Sequence, residues 1–136
     1  MSALSERRLA SSGSPFEATI GFSRAVRVGD RILVSGTAPV EADGTSTPGD
    51  AGTQAKRCLA IIVAAIEELG GSATDVVRTR IYLTDAGDAG PIGDAHGAIF
   101  GAIRPASTMV VVAALLRPEW RVEIEAEAVL ANGPSA

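Results

Sequence analysis

The chain predicts an α+β fold, with helices on one face of a largely antiparallel sheet. Three observations carry this expectation. Residues 51–69 repeat apolar side chains at three- and four-residue steps, the period of an amphipathic helix. Residues 120–130 alternate Val122, Ile124, Ala126 and Ala128 with Glu123, Glu125 and Glu127, as a strand with one face in the core does. The segments of these two kinds follow one another as β-β-α-β-α-β-β, with turn residues between them.

Each element has its own justification. Residues 1–15, rich in Ser, Gly, Arg and Pro, read as a loose arm, residues 16–130 as one domain and residues 131–136 as a flexible tail. Residues 16–28 hold strand material that stops at Gly29-Asp30, a turn pair. The second strand is Arg31 to Thr37, where Gly36 supplies a backbone conformation or a close approach that a side chain would block. A loop follows over 41–50. The first helix presents Ala55, Leu59, Ile62, Val63, Ile66 and Leu69 on one face, with Asp50 as N-cap and Gly70-Gly71 as its stop.

The third strand, 75–84, places Val77, Thr79, Ile81 and Leu83 on one face and Arg78, Arg80 and Tyr82 on the other. A second helix over 88–100 has Pro91 in its first turn and Ile92, Ala95, His96, Ile99 and Phe100 on one side. Gly90, Gly93 and Gly97 each weaken it by up to about 1 kcal/mol against Ala. The fourth strand, 108–114, is apolar on both faces. Helices can cover one of them, so the other needs a further cover, most simply a second subunit. The fourth and fifth strands read as a terminal hairpin. On the fifth, Arg78 and Arg80 are the expected partners of the three glutamates, as cross-strand charge pairs.

Composition excludes several classes. The 136 residues are 46% hydrophobic but only 4% aromatic, so the core is aliphatic. The net charge is −4, with Lys56 the one lysine and eleven arginines scattered along the chain. That is a poor surface for nucleic acid, whose affinity comes from clustered cations. One cysteine, Cys58, cannot form an internal disulfide, and one histidine, His96, cannot build a zinc site. Cys58 reads as a small buried hydrophobe and His96 as a satisfied, partly buried side chain. No signal peptide or membrane span is visible, which points to the cytoplasm.

The Gly-Asp-x-x-x-x-Ser-Gly run at 29–36, the Asp75-Val76-Val77-Arg78-Thr79 strand start, Arg104-Pro105-Ala106 and Val122-Glu123-Ile124-Glu125-Ala126 stand in the order and spacing of a known family. From about residue 16 to 129 the chain resembles the RidA/YjgF family, also called the L-PSP endoribonuclease family. The resemblance implies a chorismate-mutase-like fold and a homotrimer with small-molecule clefts between subunits. It also implies hydrolysis of enamines and imines to 2-keto acids and ammonia, with no metal or cofactor. By the same resemblance Ser35 and Gly36 line the cleft, and Glu125 handles the catalytic water. Phe22, or Ser23 with a one-residue gap, takes the place of a common tyrosine. Met109 stands where many members have cysteine.

The departure from the family is at Ser107. Deaminase members place there an arginine that grips the substrate carboxylate. Arg104, three residues away before a proline, is a candidate to swing in and bind the substrate in its place, though it reads chiefly as a surface or interface residue. Losing a charge-assisted hydrogen bond removes about 1.5–3 kcal/mol, at least about tenfold in affinity. Two readings follow: a divergent enamine or imine hydrolase, acting on a substrate without the usual carboxylate or gripping it differently, with Ser107, Glu125 and Ser35 lining the site; or a non-catalytic trimer binding a small ligand or partner. Ribonuclease activity has least support, given the acidic charge and single histidine.

Overall fold

The computed structural model describes residues 6–130. Six strands form one sheet: β1 (Arg8–Ala10), β2 (Ala25–Val28), β3 (Arg31–Thr37), β4 (Val76–Leu83), β5 (Ala106–Val111) and β6 (Val122–Val129). They lie in the order β1-β2-β3-β6-β4-β5. Three helices accompany them: α1 (Pro15–Ile20), α2 (Ala51–Glu68) and α3 (Ala89–Phe100). No helix of the described residues is long and apolar enough to cross a membrane.

The alternation of β6 organises the core. Val122, Ile124, Ala126 and Ala128 are buried beneath Cys58, Leu59, Ile62 and Ile66 of α2 and join Ile32, Val34, Ile81 and Leu83 of the neighbouring strands. Cys58 is fully buried, as its composition reading expected. Asp50 caps α2 by accepting from the Thr53 backbone N–H at 2.8 Å. Gly70, at φ 94°, ends it in a conformation that other residues rarely adopt.

The expected terminal hairpin does not form. β5 pairs with β4, in parallel, while β6 enters between β3 and β4 and is antiparallel to both. The physical reason is the connection: β4–α3–β5 is a crossover through a helix, which returns the chain parallel to where it began. β5 also stops at Val111, before the expected end at 114.

Two further expectations change at the N-terminal end. Residues 15–20 are helical, because Ser14 accepts from the Phe16 N–H, Pro15 opens the turn and Gly21 closes it at φ 92°. Within the expected loose arm, Arg8–Ala10 pairs with β2 and buries Ala10. The expected tail, 131–136, lies outside the described residues. On β4, a register shift against β6 between Val76 and Arg78 puts Val76 into the core and leaves Val77 exposed, the reverse of simple alternation.

One face of the sheet carries no helix. β5 is the open edge of the sheet, and on this face Val110, in register with Tyr82, is 43% exposed in the single chain, as Leu33 is at 45%.

Candidate functional site

The three glutamates of β6 share a face of the sheet but not a chemistry. Glu127 lies 3.1 Å from Arg80, 3.8 Å from Arg78 and 3.6 Å from Arg31. Glu125 Oε1 takes a bond from Arg80 Nη1 at 3.2 Å and from the Tyr82 hydroxyl at 2.9 Å. That contact raises the Tyr82 phenol above its usual range. The expected pairing of Arg78 and Arg80 with this row is therefore present. Glu125 itself is committed to structural partners.

Glu123 has neither an arginine bridge nor a side-chain hydrogen bond among the described residues. Burial pushes its carboxyl above the usual carboxylate range, and the positive charge of Arg24 offsets this only in part. It projects to Gly36, where the β3–β6 register shifts between Val34 and Thr37. A Cβ on Gly36 would stand 2.5 Å from Glu123 Oε2, so glycine is what leaves room for the carboxylate.

Both residues border a cavity of about 150 Å³ that also exposes Phe16, Phe22, Arg24 and Trp120. Arg24 is held from several sides. Its Nη1 donates to the Gly36 carbonyl at 2.6 Å and to Thr37 Oγ1 at 2.9 Å, its Nε lies 3.4 Å from Glu17, and its guanidinium sits 5.3 Å from the Phe22 ring centroid. Glu17 is buried, which would raise its pKa. Hydrogen bonds from Ser12 and Ser11, with Arg24 beside it, outweigh burial and lower it. At the rim, Trp120 meets Phe16 edge-on at 6.3 Å, and Arg117 lies over both rings.

The structure thus brings together only part of the sequence-predicted set. Phe22 and Gly36 line the cavity. The Ser35 hydroxyl turns away and donates to the Ser23 carbonyl at 2.7 Å. Ser107 and Met109 stand on β5, beyond β4 from β6, opposite Thr79 and Ile81 of the buried face. Ser107 Oγ accepts from Thr79 Oγ1 at 2.8 Å, and Thr79 Oγ1 meets His96 Nε2 at 2.9 Å. His96 is therefore satisfied and partly buried, and burial lowers its pKa. Arg104 is exposed, with φ 60°, just before Pro105. Within one chain, these three β5-side residues do not reach the cavity.

Sequence reasoning missed Glu123, Arg24 and Trp120. Arg24 had a signal: it lies two residues from Phe22, hence on the same side of an extended segment. Among the described residues, no group of three or more His, Cys, Asp and Glu could hold a metal ion.

The Endoribonuclease L-PSP family profile matches residues 13–130. The chain belongs to this family. An uncharacterized protein of Streptomyces coelicolor is 38% identical over 121 residues, 89% of this chain and 90% of the relative. The 2-iminobutanoate/2-iminopropanoate deaminase of Escherichia coli is 33% identical over 116 residues, 82% of this chain and 90% of the relative. Among solved structures, a Mycobacterium tuberculosis member of the YjgF/YER057c/UK114 family superposes with a TM-score of 0.85 at 42% identity, covering 92% of this chain and all of that one. These matches establish the RidA/YjgF family and its chorismate-mutase-like α+β fold for this chain.

Proposed function

We propose that the cavity beside Glu123 binds a small molecule and that the protein hydrolyses an imine or enamine there. The observation that carries this is the Glu123 carboxyl: half-buried, unbridged and displaced upward in pKa, within a cavity that also holds Phe22 and Gly36. A carboxyl raised in this way by burial holds a proton more readily than an exposed one and is suited to acid–base work. As carboxylate it takes a proton from water as the oxygen adds to the imine carbon. As carboxylic acid it passes that proton to nitrogen, which completes a carbinolamine; a second transfer through the same carboxyl, from the carbinolamine hydroxyl to nitrogen, then breaks the carbon–nitrogen bond and releases a carbonyl and ammonia. The water-handling role assigned by resemblance to Glu125 thus passes to Glu123. The activity named for the Escherichia coli relative supports the same chemistry.

The family implies a homotrimer, and the uncovered apolar residues of β5 and β3 are where we place its contacts. In such an assembly Ser107, Met109 and Arg104 of one copy would approach the cavity of another. The buried, unpaired Cys58 fits a reducing, cytoplasmic setting. The second reading, a non-catalytic ligand binder, is favoured by the aromatic lining of Phe16, Phe22 and Trp120.

The test is ammonia release when 2-aminoacrylate is generated in situ. Release faster than in buffer is expected, and no acceleration would remove the hydrolase reading. Gly36→Ala gives a structural check. The added methyl meets the movable end of Glu123, so the fold should hold while the carboxylate is displaced. Ammonia release should fall at least about tenfold, with a Tm shift of no more than about 3–4 °C, the size of a 1 kcal/mol change.

A further inference from the structure

We propose that Arg24 is the residue that holds the substrate carboxylate in this chain. This rests on the hydrolase reading for the identity of the ligand, a 2-imino or 2-enamino acid, but on separate atoms.

Position 107 offers only a neutral hydroxyl, already engaged by Thr79 and on the sheet face opposite Glu123. An anionic substrate therefore needs a cation from elsewhere. Arg24 lines the same cavity as Glu123 and Phe22. Its side chain is only 6% exposed. Nε faces Glu17, and Nη1 donates to the Gly36 carbonyl and Thr37 Oγ1. Among the described residues Nη2 has no acceptor. Nη2 is thus the arm of the guanidinium left for a ligand in the cavity that Arg24 lines.

This is a preorganised donor. The Gly36 carbonyl, Thr37 and Glu17 fix the guanidinium plane, and the Phe22 ring lies beside it. Binding an anion would cost little side-chain ordering, and the bond forms where water is largely excluded. Glu17 offsets the charge only in part: it accepts from Ser11 Oγ at 2.8 Å and from Ser12 N at 3.2 Å, while the Arg24 contact is long at 3.4 Å. Arg24 and Glu123 line the same cavity, so a carboxylate held by Arg24 brings the imine carbon into the space that the Glu123 carboxyl borders.

The experiment is calorimetric titration of the full chain with pyruvate and with its neutral amide, pyruvamide. Wild type should prefer pyruvate. Arg24→Gln combined with Glu17→Gln removes both charges together, so no orphaned buried ion remains. It should weaken pyruvate at least about tenfold, while pyruvamide changes by no more than about twofold. Arg24→Lys, which keeps the charge but loses the planar fork, should also weaken pyruvate and serves if the double variant does not fold by circular dichroism. Wild type that binds the amide as well as the acid, or neither, overturns the proposal. So does unchanged pyruvate affinity in Arg24→Lys. Arg24-dependent pyruvate binding without any ammonia release would uphold the anchor and sink the hydrolase reading. Ammonia release with equal kcat/KM in wild type and Arg24→Lys would do the opposite.

Discussion

Glu123→Gln is expected to lower the rate of ammonia release from 2-aminoacrylate by roughly 10²- to 10⁴-fold, the usual contribution of a positioned acid–base group. The same substitution should stabilise the protein at neutral pH. The carboxyl is raised by burial, so its ionised form is less favourable in the folded chain than in the unfolded one. Below the ordinary glutamate range it is protonated in both states and imposes no penalty. As pH rises from that range to its elevated folded value, the unfolded chain ionises first and folding stability declines. Glutamine removes this decline. Glu17, lowered in the folded state, acts in the other direction: its stabilisation is present above its unfolded value and lost as pH falls through the folded one. Urea titrations across pH should therefore show the neutral-side loss in wild type and not in Glu123→Gln, while the acid limb persists in both. Glu125→Gln gives the contrast. It disturbs contacts to Arg80 and Tyr82, partly exposed pairs of about 0–1 kcal/mol, and should reduce the rate far less. A larger loss from Glu125→Gln than from Glu123→Gln would return the water-handling role to Glu125.

Val110→Asp is expected to break the assembly. Val110 lies on the open edge strand, in register with Tyr82 and therefore on the face that no helix covers. It is 43% exposed in the single chain, and Leu33 on the same sheet is 45% exposed. Covering such side chains yields about 25 cal/mol for each Å² of apolar surface. An unpaired carboxylate in that contact would instead be desolvated without a partner. Light scattering should give about three times the 13.8 kDa chain mass for wild type and a single-chain mass for Val110→Asp. A monomeric wild type would remove the trimer.

Much of the fold was legible because its signals are periodic. The 3.6-residue repeat of α2 and the twofold alternation of β6 each state which side faces the core, and both hold. What alternation cannot state is which strands become neighbours. The β5 and β6 sequences look like a hairpin, yet the helix between β4 and β5 imposes a parallel pair and leaves the gap that β6 fills. The extra residue near Val77 is equally silent until its partner strand is known. α1 is the exception: Ser14, Pro15 and Gly21 carried its cap, opening and stop in plain view.

The site was less legible than the fold, for a related reason. Glu123, Glu125 and Glu127 are equivalent by spacing. Only the placement of Arg80, Tyr82 and Gly36 on neighbouring strands commits two of them to structural pairs and leaves one in a cavity. The resemblance singles out Ser107 as a missing cation, but a replacement on β2's approach, 83 positions earlier by numbering, has no sequence signature of its own.

A crystal structure of the assembled protein soaked with pyruvate tests the central claim most directly. The keto acid should lie in the cavity beside Phe22 and Gly36, with its carboxylate on Arg24 Nη2 and its carbonyl carbon facing the Glu123 carboxyl. Pyruvate bound instead at Glu125 and Arg80, or at Ser107 with the Glu123 cavity vacant, would contradict it.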